Sequence, residues 1–284
     1  MIKCEQPSEI RSLVRRWQLD GLRVAFVPTM GNLHAGHFSL VELARRHADR
    51  VVTSVFVNPT QFGPNEDFAR YPRTIERDAV GLEAVGSDAM FVPEPHALYP
   101  MGAANAVRVE VPPIDRILCG AHRPGHFSGV ATVVLRLLHC VPADCAVFGS
   151  KDYQQLQIIR RLVQDLLMPV ELIAGATCRE PDGLAMSSRN QYLLPDEREL
   201  APLLFAKLRS VASAVQMGQP VGAVLSNAQA ELTRVGFSVD YIEVREAETL
   251  ADWYPDARRG VALVAARIGN TRLIDNLEFV LTED

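Results

Sequence analysis

The fold is decided by residues 23–46, which read RVAFVPTMGNLHAGHFSLVELARR. Residues 24–27 form a short apolar run without Gly or Pro, and this pattern predicts a buried strand. Apolar residues then recur at helical spacing from Leu40 to Ala44, so a helix follows. The turn between them, with Gly31 and Gly36, lies at the helix N-terminus. Because such a terminus carries orphan N–H groups and a partial positive charge, the turn suits phosphate oxygens, and glycine allows close approach of the backbone.

Two histidines, His34 and His37, lie on either side of Gly36 in this turn. Spaced three residues apart at the mouth of a helix, both imidazoles can donate hydrogen bonds or protons to one bound group. A structural alternative is that they only cap the helix or are half buried. Their position directly after a buried strand favours the binding hypothesis. Neither G-x-x-x-x-G-K-[ST] nor G-x-G-x-x-G accompanies the turn, so it is not one of the common phosphate loops.

Composition restricts the class of protein. The 284 residues are 48% hydrophobic and 22% charged, with a net charge of −5, which fits a soluble chain of one large or two modest domains. This mildly acidic balance argues against nucleic-acid binding as the main role. The five cysteines, at positions 4, 119, 140, 145 and 178, are scattered and odd in number, as is typical of reduced thiols. No apolar run is long enough for a membrane span, so we expect a cytoplasmic protein.

Strands and helices alternate over the first two thirds of the chain. This alternation predicts an α/β fold, a Rossmann-like doubly wound parallel sheet, over residues 1–176. Further helices are predicted at 8–17, 72–86 and 130–138, and further strands at 51–57, 89–92, 107–111, 143–148 and 170–174.

The composition changes after Pro195. Helices are predicted at 196–217 and 221–235, then a strand at 239–244 and a hairpin of 261–268 with 271–276, whose Gly269-Asn270 turn is a two-residue hairpin signal. Residues 177–284 are therefore expected to form a second, smaller α/β domain.

Polar side chains follow the strand predicted at 51–57. Ligands of open α/β sheets gather beyond the carboxyl ends of the strands, so Asn58 and Gln61 should face the same crevice as the two histidines. The amide of Gln61 offers donors and an acceptor, which suits a substrate with hydroxyl and carboxylate groups. The alternative is a polar residue that only closes a turn.

Two later segments also suit anions. Arg123 and His126 lie in a glycine-punctuated loop at a helix start, although both could be ordinary surface residues. Gly149 follows a predicted strand and precedes Lys151, which places a full charge in the first turn of a helix, with Gln155 on the same face.

The loop at Met186 contains Ser187, Ser188 and Arg189. Two hydroxyls and a guanidinium can surround phosphate oxygens, and a loop can close over them after binding. On an open surface the same residues would form only a polar turn.

Together these segments resemble one family closely. The H-x-G-H turn is similar to the signature of the nucleotidyltransferase superfamily, and the longer motifs resemble the pantothenate synthetase (pantoate/β-alanine ligase) family over nearly the whole chain. The matching blocks are residues 28–37, Asn58-Pro59 with Gln61-Phe62, 71–74, 123–127, Phe148-Gly149 with Lys151-Asp152 and Gln154-Gln155, 182–185 with 187–190, and 272–276.

The resemblance implies ATP-dependent condensation of pantoate with β-alanine through a pantoyl adenylate, releasing AMP and pyrophosphate. It also implies magnesium bound mainly through the ATP phosphates rather than by protein ligands, and a cytoplasmic homodimer without nucleic-acid or membrane partners. The first domain would bind nucleotide and pantoate, and the second would act as a lid.

The resemblance also implies roles for individual residues. The implied catalytic residues are His37, His34 and Lys151. Substrate contacts are implied for Gln61 (pantoate and β-alanine), Gln155 (pantoate), Asn58 and Arg123. The implied ATP contacts are Met30, Gly31, Asn32, Leu33, His34, Ala35, Gly36, His37, Gly149, Ser150, Lys151, Asp152, Cys178, Met186, Ser187, Ser188 and Arg189.

Two positions depart from the family pattern. Ser150 stands where a glutamate is expected, and Cys178 stands where an aliphatic residue is expected. Neither departure threatens activity if both residues act through their backbone. Two other functions remain as alternatives: a nucleotidyltransferase that releases an adenylylated small molecule would share the H-x-G-H turn, and a nucleotide-sensing module without turnover would share the crevice.

Overall fold

The computed structural model describes residues 1–64, 66, 68–254 and 256–281. The chain forms two compact units. The first consists of Met1–Ser150 with Ile158–Ala176, and the second of Lys151–Gln157 with Thr177–Asp284. Within the described ranges, no helix has both the length and the apolar character needed to cross a membrane.

The first unit contains a parallel sheet. Its described strands are β1 (Ile2–Cys4), β2 (Val24–Thr29), β3 (Arg50–Val55), β4 (Ala89–Phe91), β5 (Cys145–Gly149) and β6 (Glu171–Gly175). They are ordered β1-β4-β3-β2-β5-β6, and each neighbouring pair in this described sheet is parallel. The predicted fold class is thereby confirmed.

Helices connect these strands. They are α1 (Pro7–Leu19), α2 (Ala35–His47), α3 (Ile75–Ala84), α4 (Pro95–Leu98), α5 (Cys119–His122), α6 (His126–Cys140) and α7 (Tyr153–Asp165). Helix α6 is the most apolar, with Val130, Ala131, Leu137 and Leu138 all buried. A helix that is apolar on several faces is stable only inside a core, so α6 is part of the interior of the unit.

The direction of winding reverses beside β2. After β2 the chain continues to β3 and β4 on one side, and it later places β5 on the other side. In parallel sheets of this kind, ligands bind beyond the carboxyl ends of the strands at such a reversal. The turn that follows Thr29 therefore occupies the position where this fold binds ligands.

The second unit is built on an antiparallel sheet. Its described strands are β7 (Ser238–Glu246), β8 (Arg259–Ile268) and β9 (Thr271–Val280), and its helices are α8 (Pro195–Leu200), α9 (Leu203–Gln216) and α10 (Val221–Arg234). The predicted hairpin is confirmed, because Ile268 pairs with Thr271 across the turn. Leu204, Leu208 and Leu232 pack in one apolar cluster with the sheet residues Val264 and Ala266.

Three details differ from the sequence predictions. The single helix predicted at 196–217 is wrong, because the chain breaks between α8 and α9 at Ala201 and Pro202; proline has no N–H to continue the helix. The strand predicted at 107–111 is also wrong. The N–H of Val109 donates to Thr132 Oγ1 instead of to a neighbouring strand. Strand β1 had no prediction, since three residues are too short to show a period.

Gly31 allows the turn after β2 to pack tightly. Its φ is +81°, and a Cβ at this position would lie 2.9 Å from Val55 Cγ1 and 3.1 Å from Asp78 Oδ2. Any other residue would therefore be strained in its backbone and crowded by its neighbours. Gly21 has a similar φ of +78° but no atom within 4 Å of the equivalent Cβ position.

We expect Gly31→Ala to destabilise the protein more than Gly21→Ala. Both variants place a Cβ at positive φ, which costs about 1–2 kcal/mol. Only the Gly31 variant also forces Val55 and Asp78 apart, which adds roughly 1–3 kcal/mol of overpacking. The free energy of unfolding from urea titrations followed by circular dichroism measures the difference. Equal losses in the two variants would contradict the packing role of Gly31.

Candidate active site

The carboxylate of Asp78, in helix α3, holds the turn that follows β2. Asp78 is only 1% exposed. Its Oδ2 accepts the N–H of Asn32 at 2.9 Å, and its Oδ1 accepts the N–H of Leu33 at 2.9 Å and the hydroxyl of Thr74 at 3.0 Å. Arg77 donates to the side chain of Asn32 at 2.6 Å. The turn is therefore tied to α3 through both its backbone and its side chains.

The backbone N–H groups of this turn are engaged within the protein. Those of Asn32 and Leu33 donate to Asp78. That of His34 donates to His37 Nδ1, and that of Gly36 donates to His34 Nδ1. Four backbone N–H groups of the turn therefore already have acceptors within the protein, and the predicted nucleotide contacts of these residues stay predictions.

The two histidines cap helix α2. Gly36 N–H donates to His34 Nδ1 at 3.2 Å, and His34 N–H donates to His37 Nδ1 at 3.3 Å. A nitrogen that accepts a hydrogen bond carries no proton. In each ring the hydrogen is therefore on Nε2, an assignment that follows from the network of hydrogen bonds.

The rings lie against each other, with centroids 4.1 Å apart and planes inclined at 47°. Both side chains are half-buried rather than enclosed. The structural alternative, that these histidines cap the helix, is therefore correct. It does not exclude binding, because the capping bonds are made by Nδ1 and the donor of each ring is Nε2.

Gln61 ends a 3₁₀ turn, Pro59–Gln61, that lies against helix α6. The close approach requires Gly129, since a Cβ there would lie 2.3 Å from the backbone oxygen of Thr60. Asn58 Nδ2 donates to Gln61 Oε1 at 3.1 Å, and Gln61 Nε2 donates to the sulfur of Met30 at 2.9 Å. Three residues with predicted contacts, Met30, Asn58 and Gln61, thus lie together in the first unit.

Arg123 fixes the backbone of Gln61. Its Nε and Nη2 donate to the two carboxylate oxygens of Glu66, each at 2.6 Å, and its Nη2 also reaches the backbone oxygen of Gln61 at 3.4 Å. His126 donates from Nδ1 to the same backbone oxygen at 2.8 Å, since a carbonyl only accepts. Arg123 therefore already has a carboxylate partner, and its predicted substrate contact stays a prediction.

The ion pair between Arg123 and Glu66 is half-buried. Burial alone would raise the pKa of Glu66, but the hydrogen bonds and charge of Arg123 outweigh it and lower that pKa to about 2. Glu66 is thus ionised at neutral pH and keeps the guanidinium in place.

Of the remaining predicted residues, Gly149 and Ser150 belong to the first unit and the others to the second. Lys151 is in a 3₁₀ turn, Ser150–Asp152, that precedes α7 rather than in the helix itself. Its Nζ lies 3.8 Å from Asp152, and its backbone oxygen accepts a 2.8 Å hydrogen bond from Asn276 Nδ2. Gln155 is half-buried in the first turn of α7.

Cys178 and Met186 are joined through their backbones. Met186 N–H donates to the carbonyl of Cys178 at 2.9 Å, and the two sulfurs are 3.5 Å apart. Ser187 caps the 3₁₀ turn Ser188–Tyr192 by accepting the N–H of Arg189 at 3.3 Å. The loop is therefore ordered by local hydrogen bonds.

Sequence reasoning missed Asp78, Tyr99 and Glu66. Each acts on a predicted residue from a distant part of the chain: Asp78 on Asn32, Tyr99 on Asn58, and Glu66 on Arg123. The block that contains Tyr71 and Thr74 lies close to Asp78 in sequence, but its local pattern gives no sign of the long-range bonds.

Comparisons with known proteins agree on one family. The family model described as pantoate-beta-alanine ligase matches residues 3–278. A pantothenate synthetase of Xanthomonas euvesicatoria pv. vesicatoria (strain 85-10) is 55% identical over 274 residues, covering 96% of this chain and 97% of that protein. The pantothenate synthetase of Xylella fastidiosa (strain 9a5c) is also 55% identical over 274 residues, with the same coverage of both chains.

Solved structures show the same similarity. The pantothenate synthetase from Thermus thermophilus superposes with a TM-score of 0.88 at 46% identity, covering 98% of this chain and 99% of that one. The pantoate-beta-alanine ligase from Francisella tularensis, complexed with beta-gamma ATP and beta-alanine, has a TM-score of 0.82 at 35% identity, covering 98% and 97% of the two chains. The chain therefore belongs to the pantoate-beta-alanine ligase family.

Proposed function

We propose that this chain condenses pantoate with β-alanine at the expense of ATP, giving pantothenate, AMP and pyrophosphate. Family membership gives the reaction class. The observation on this chain that carries the proposal is the pair of capped histidines, His34 and His37, whose Nε2–H groups are preset as donors beyond the carboxyl end of β2.

The chemistry requires activation of a carboxylate. A carboxylate is a poor electrophile toward an amine, so one pantoate oxygen first attacks the α-phosphorus of ATP and pyrophosphate departs. Negative charge grows on the α-phosphate oxygens and on pyrophosphate during this step. Preset donors stabilise such charge more in the transition state than in the ground state. We assign this role to His37, with His34 beside it.

The second step forms the amide. The amine of β-alanine attacks the carbonyl carbon of the pantoyl adenylate, the amine loses a proton, and AMP leaves with the electron pair of the broken carbon–oxygen bond. The amine must react as the free base, although an alkylamine of this kind has a pKa of about 10. Removal of that proton is therefore part of the second step.

Further nucleotide contacts are proposed on each unit separately. In the first unit they are residues 30–37 and Gly149. In the second they are Lys151, whose ammonium supplies a full positive charge, Asp152, Cys178 and residues 186–189. Ser150 completes the set. Cys178 acts through its backbone, since its side chain lies against the sulfur of Met186.

Pantoate is assigned to Gln61 and Gln155. Asn58, whose amide is buried and bonded within the protein, acts on pantoate by orienting Gln61, and Arg123 supports the backbone of Gln61. The carboxylate of β-alanine is also assigned to the vicinity of Gln61. In the first unit this assignment is supported by the fixed geometry of Gln61 and Asn58.

Magnesium enters with the nucleotide as part of the substrate. Within the described ranges, no group of three or more His, Cys, Asp or Glu side chains is placed to hold a metal ion. Asp78, the most buried carboxylate near the site, already accepts hydrogen bonds on both oxygens. We therefore assign magnesium to the ATP phosphates, where it offsets their charge.

The role of His37 can be tested with a pair of substitutions. His37→Asn keeps an acceptor close to the position of Nδ1 but loses the Nε2 donor, whereas His37→Gln keeps a donor close to Nε2. We expect Asn to lower kcat by about 100-fold or more, with a much smaller change in the KM for ATP. We expect Gln to retain more activity than Asn.

The control for this pair is His47→Asn, on the exposed last turn of the same helix. It should leave kcat unchanged. Equal losses of kcat in the Asn and Gln variants of His37, or a loss of ATP affinity as large as the loss of rate, would remove the donor role.

The two chemical steps should be separable. Enzyme with ATP, magnesium and pantoate, but without β-alanine, should exchange labelled pyrophosphate into ATP. Adenylylation needs no amine, and exclusion of water protects the acyl adenylate. Exchange that strictly requires β-alanine would contradict the ordered steps, and ADP among the products would reject adenylylation.

The same assay addresses the alternative functions. Release of AMP should require both pantoate and β-alanine. A nucleotidyltransferase would instead release a stable adenylyl product without the amine, and a binding module would show no turnover.

We also propose that the enzyme is a cytoplasmic homodimer without nucleic-acid or membrane partners. The family resemblance and the scattered cysteines of the sequence support this proposal. Sedimentation equilibrium at micromolar concentration should give twice the mass of the 31.3 kDa chain. A monomer at that concentration would refute the dimer.

A further inference from the structure

A chain of hydrogen bonds runs from Tyr99, next to helix α4, to Gln61. The hydroxyl of Tyr99 donates to Asn58 Oδ1 at 2.7 Å. The hydroxyl of Thr60 donates to the same oxygen at 3.1 Å, and the N–H of Thr60 approaches it at 3.4 Å. Asn58 is 1% exposed, and Tyr99 is 3% exposed. Donors from two residues thus converge on one buried amide oxygen.

The other end of the Asn58 amide is fixed as well. Nδ2 donates to the backbone oxygen of Gly129 at 3.2 Å and to Gln61 Oε1 at 3.1 Å. A backbone oxygen only accepts, so the atom that faces Gly129 must be the nitrogen. The contacts of the oxygen and those of the nitrogen therefore require the same orientation of the Asn58 amide. If the amide were flipped, its NH₂ group would face the hydroxyl donors of Tyr99 and Thr60.

The orientation passes on to Gln61. Because Gln61 Oε1 accepts the hydrogen bond of Asn58 Nδ2, the Gln61 NH₂ group is the part of the amide that is left for other partners. That group now donates to the sulfur of Met30 at 2.9 Å. A thioether sulfur is a weak acceptor, so an oxygen of a substrate is a better partner for this NH₂.

We propose that Tyr99 is a positioning residue that sets the substrate specificity of Gln61: through Asn58 it makes Gln61 present an NH₂ donor, and so select a carboxylate or hydroxyl oxygen of pantoate. This inference rests on the proposed function, in which Gln61 binds pantoate. It adds that Gln61 rejects the ammonium group of β-alanine, which would face another donor, and receives only the carboxylate end of that substrate.

The surroundings of Tyr99 suit this role. Burial raises the pKa of its phenol above the ordinary value, so the hydroxyl keeps its proton. The guanidinium of Arg136 lies 4.9 Å from the centre of the ring and donates to the backbone oxygen of Leu98 at 2.7 Å. A phenylalanine would keep the ring and its contact with Arg136, so Tyr99→Phe removes only the hydroxyl.

Steady-state kinetics with each substrate varied in turn test the inference. We expect Tyr99→Phe to raise the KM for pantoate about 3- to 10-fold, the usual effect of one lost hydrogen bond. The kcat and the KM for ATP should change by less than about twofold, because neither depends on the Gln61 amide. Thr60→Val, which removes the second hydroxyl donor, should act in the same direction, and the double variant should exceed either single variant.

Tyr241→Phe serves as a matched control, since Tyr241 is a buried tyrosine in β7 of the second unit. It should leave the KM for pantoate unchanged. Thermal unfolding checks that each variant is folded. A uniform loss in Tyr99→Phe, with kcat and every KM affected alike, would indicate a merely structural hydroxyl and overturn the inference.

Substitutions of Gln61 distinguish failure of this inference from failure of the proposed function. Gln61→Ala removes the donor, whereas Gln61→Glu keeps an acceptor for Asn58 and replaces the NH₂ by oxygen. We expect both to raise the KM for pantoate, and Glu to raise it more, because oxygen faces oxygen. If both do so and Tyr99→Phe does not, the relay fails and the pantoate assignment stands.

A Glu variant that binds pantoate as well as the Ala variant would overturn the donor orientation. If Gln61→Ala leaves the KM for pantoate unchanged, the assignment of Gln61 fails, and the inference fails with it. The proposed reaction is tested independently in the unmodified protein, by whether release of AMP requires both pantoate and β-alanine.

Discussion

The buried carboxylate of Asp78 determines the path of the turn that carries both histidines. A buried charge is costly unless hydrogen bonds satisfy it, and here backbone donors of Asn32 and Leu33 do so. The dependence is mutual. Gly31 adopts its positive φ of 81° without strain, whereas the positive φ of Asn32, 51°, is a conformation that surrounding bonds stabilise. The site therefore depends on one carboxylate that need not touch a substrate.

Local features were predictable from the sequence, and long-range bonds were not. The strand, turn and helix after Arg23 follow from apolar periodicity, and the Gly269-Asn270 hairpin follows from turn chemistry. Asp78 bonds to residues more than forty positions earlier, and Tyr99 bonds to Asn58 over a similar separation. The local periodicity of apolar residues in the sequence does not reveal such long-range pairs. The strand predicted at 107–111 was wrong for the same reason, because the N–H of Val109 bonds to Thr132, a distant residue in helix α6.

The histidine turn shows that a structural and a chemical hypothesis can both hold for the same residues. Capping by His34 and His37 occupies Nδ1 of each ring, and in doing so it fixes which nitrogen carries the hydrogen. The Asn58 and Gln61 amides follow the same rule, since the neighbours of one end determine what the other end presents. In both places, bonds within the protein decide donor or acceptor character before any ligand arrives. Such preset donors need no reorganisation during the reaction.

The same bonds bear on the charge of the histidines. An imidazolium has two donors, so protonation would break the bond that each Nδ1 accepts. A positive ring would also face the positive end of helix α2. Two charged rings whose centroids are 4.1 Å apart would repel each other, by about 4 kcal/mol at the effective dielectric constant of a protein surface. A ring that carries one hydrogen, on Nε2, directs a hydrogen bond at a phosphate oxygen without adding charge. The full positive charge that a polyphosphate requires is supplied by a different kind of side chain, and among the proposed nucleotide contacts Lys151 and Arg189 carry it.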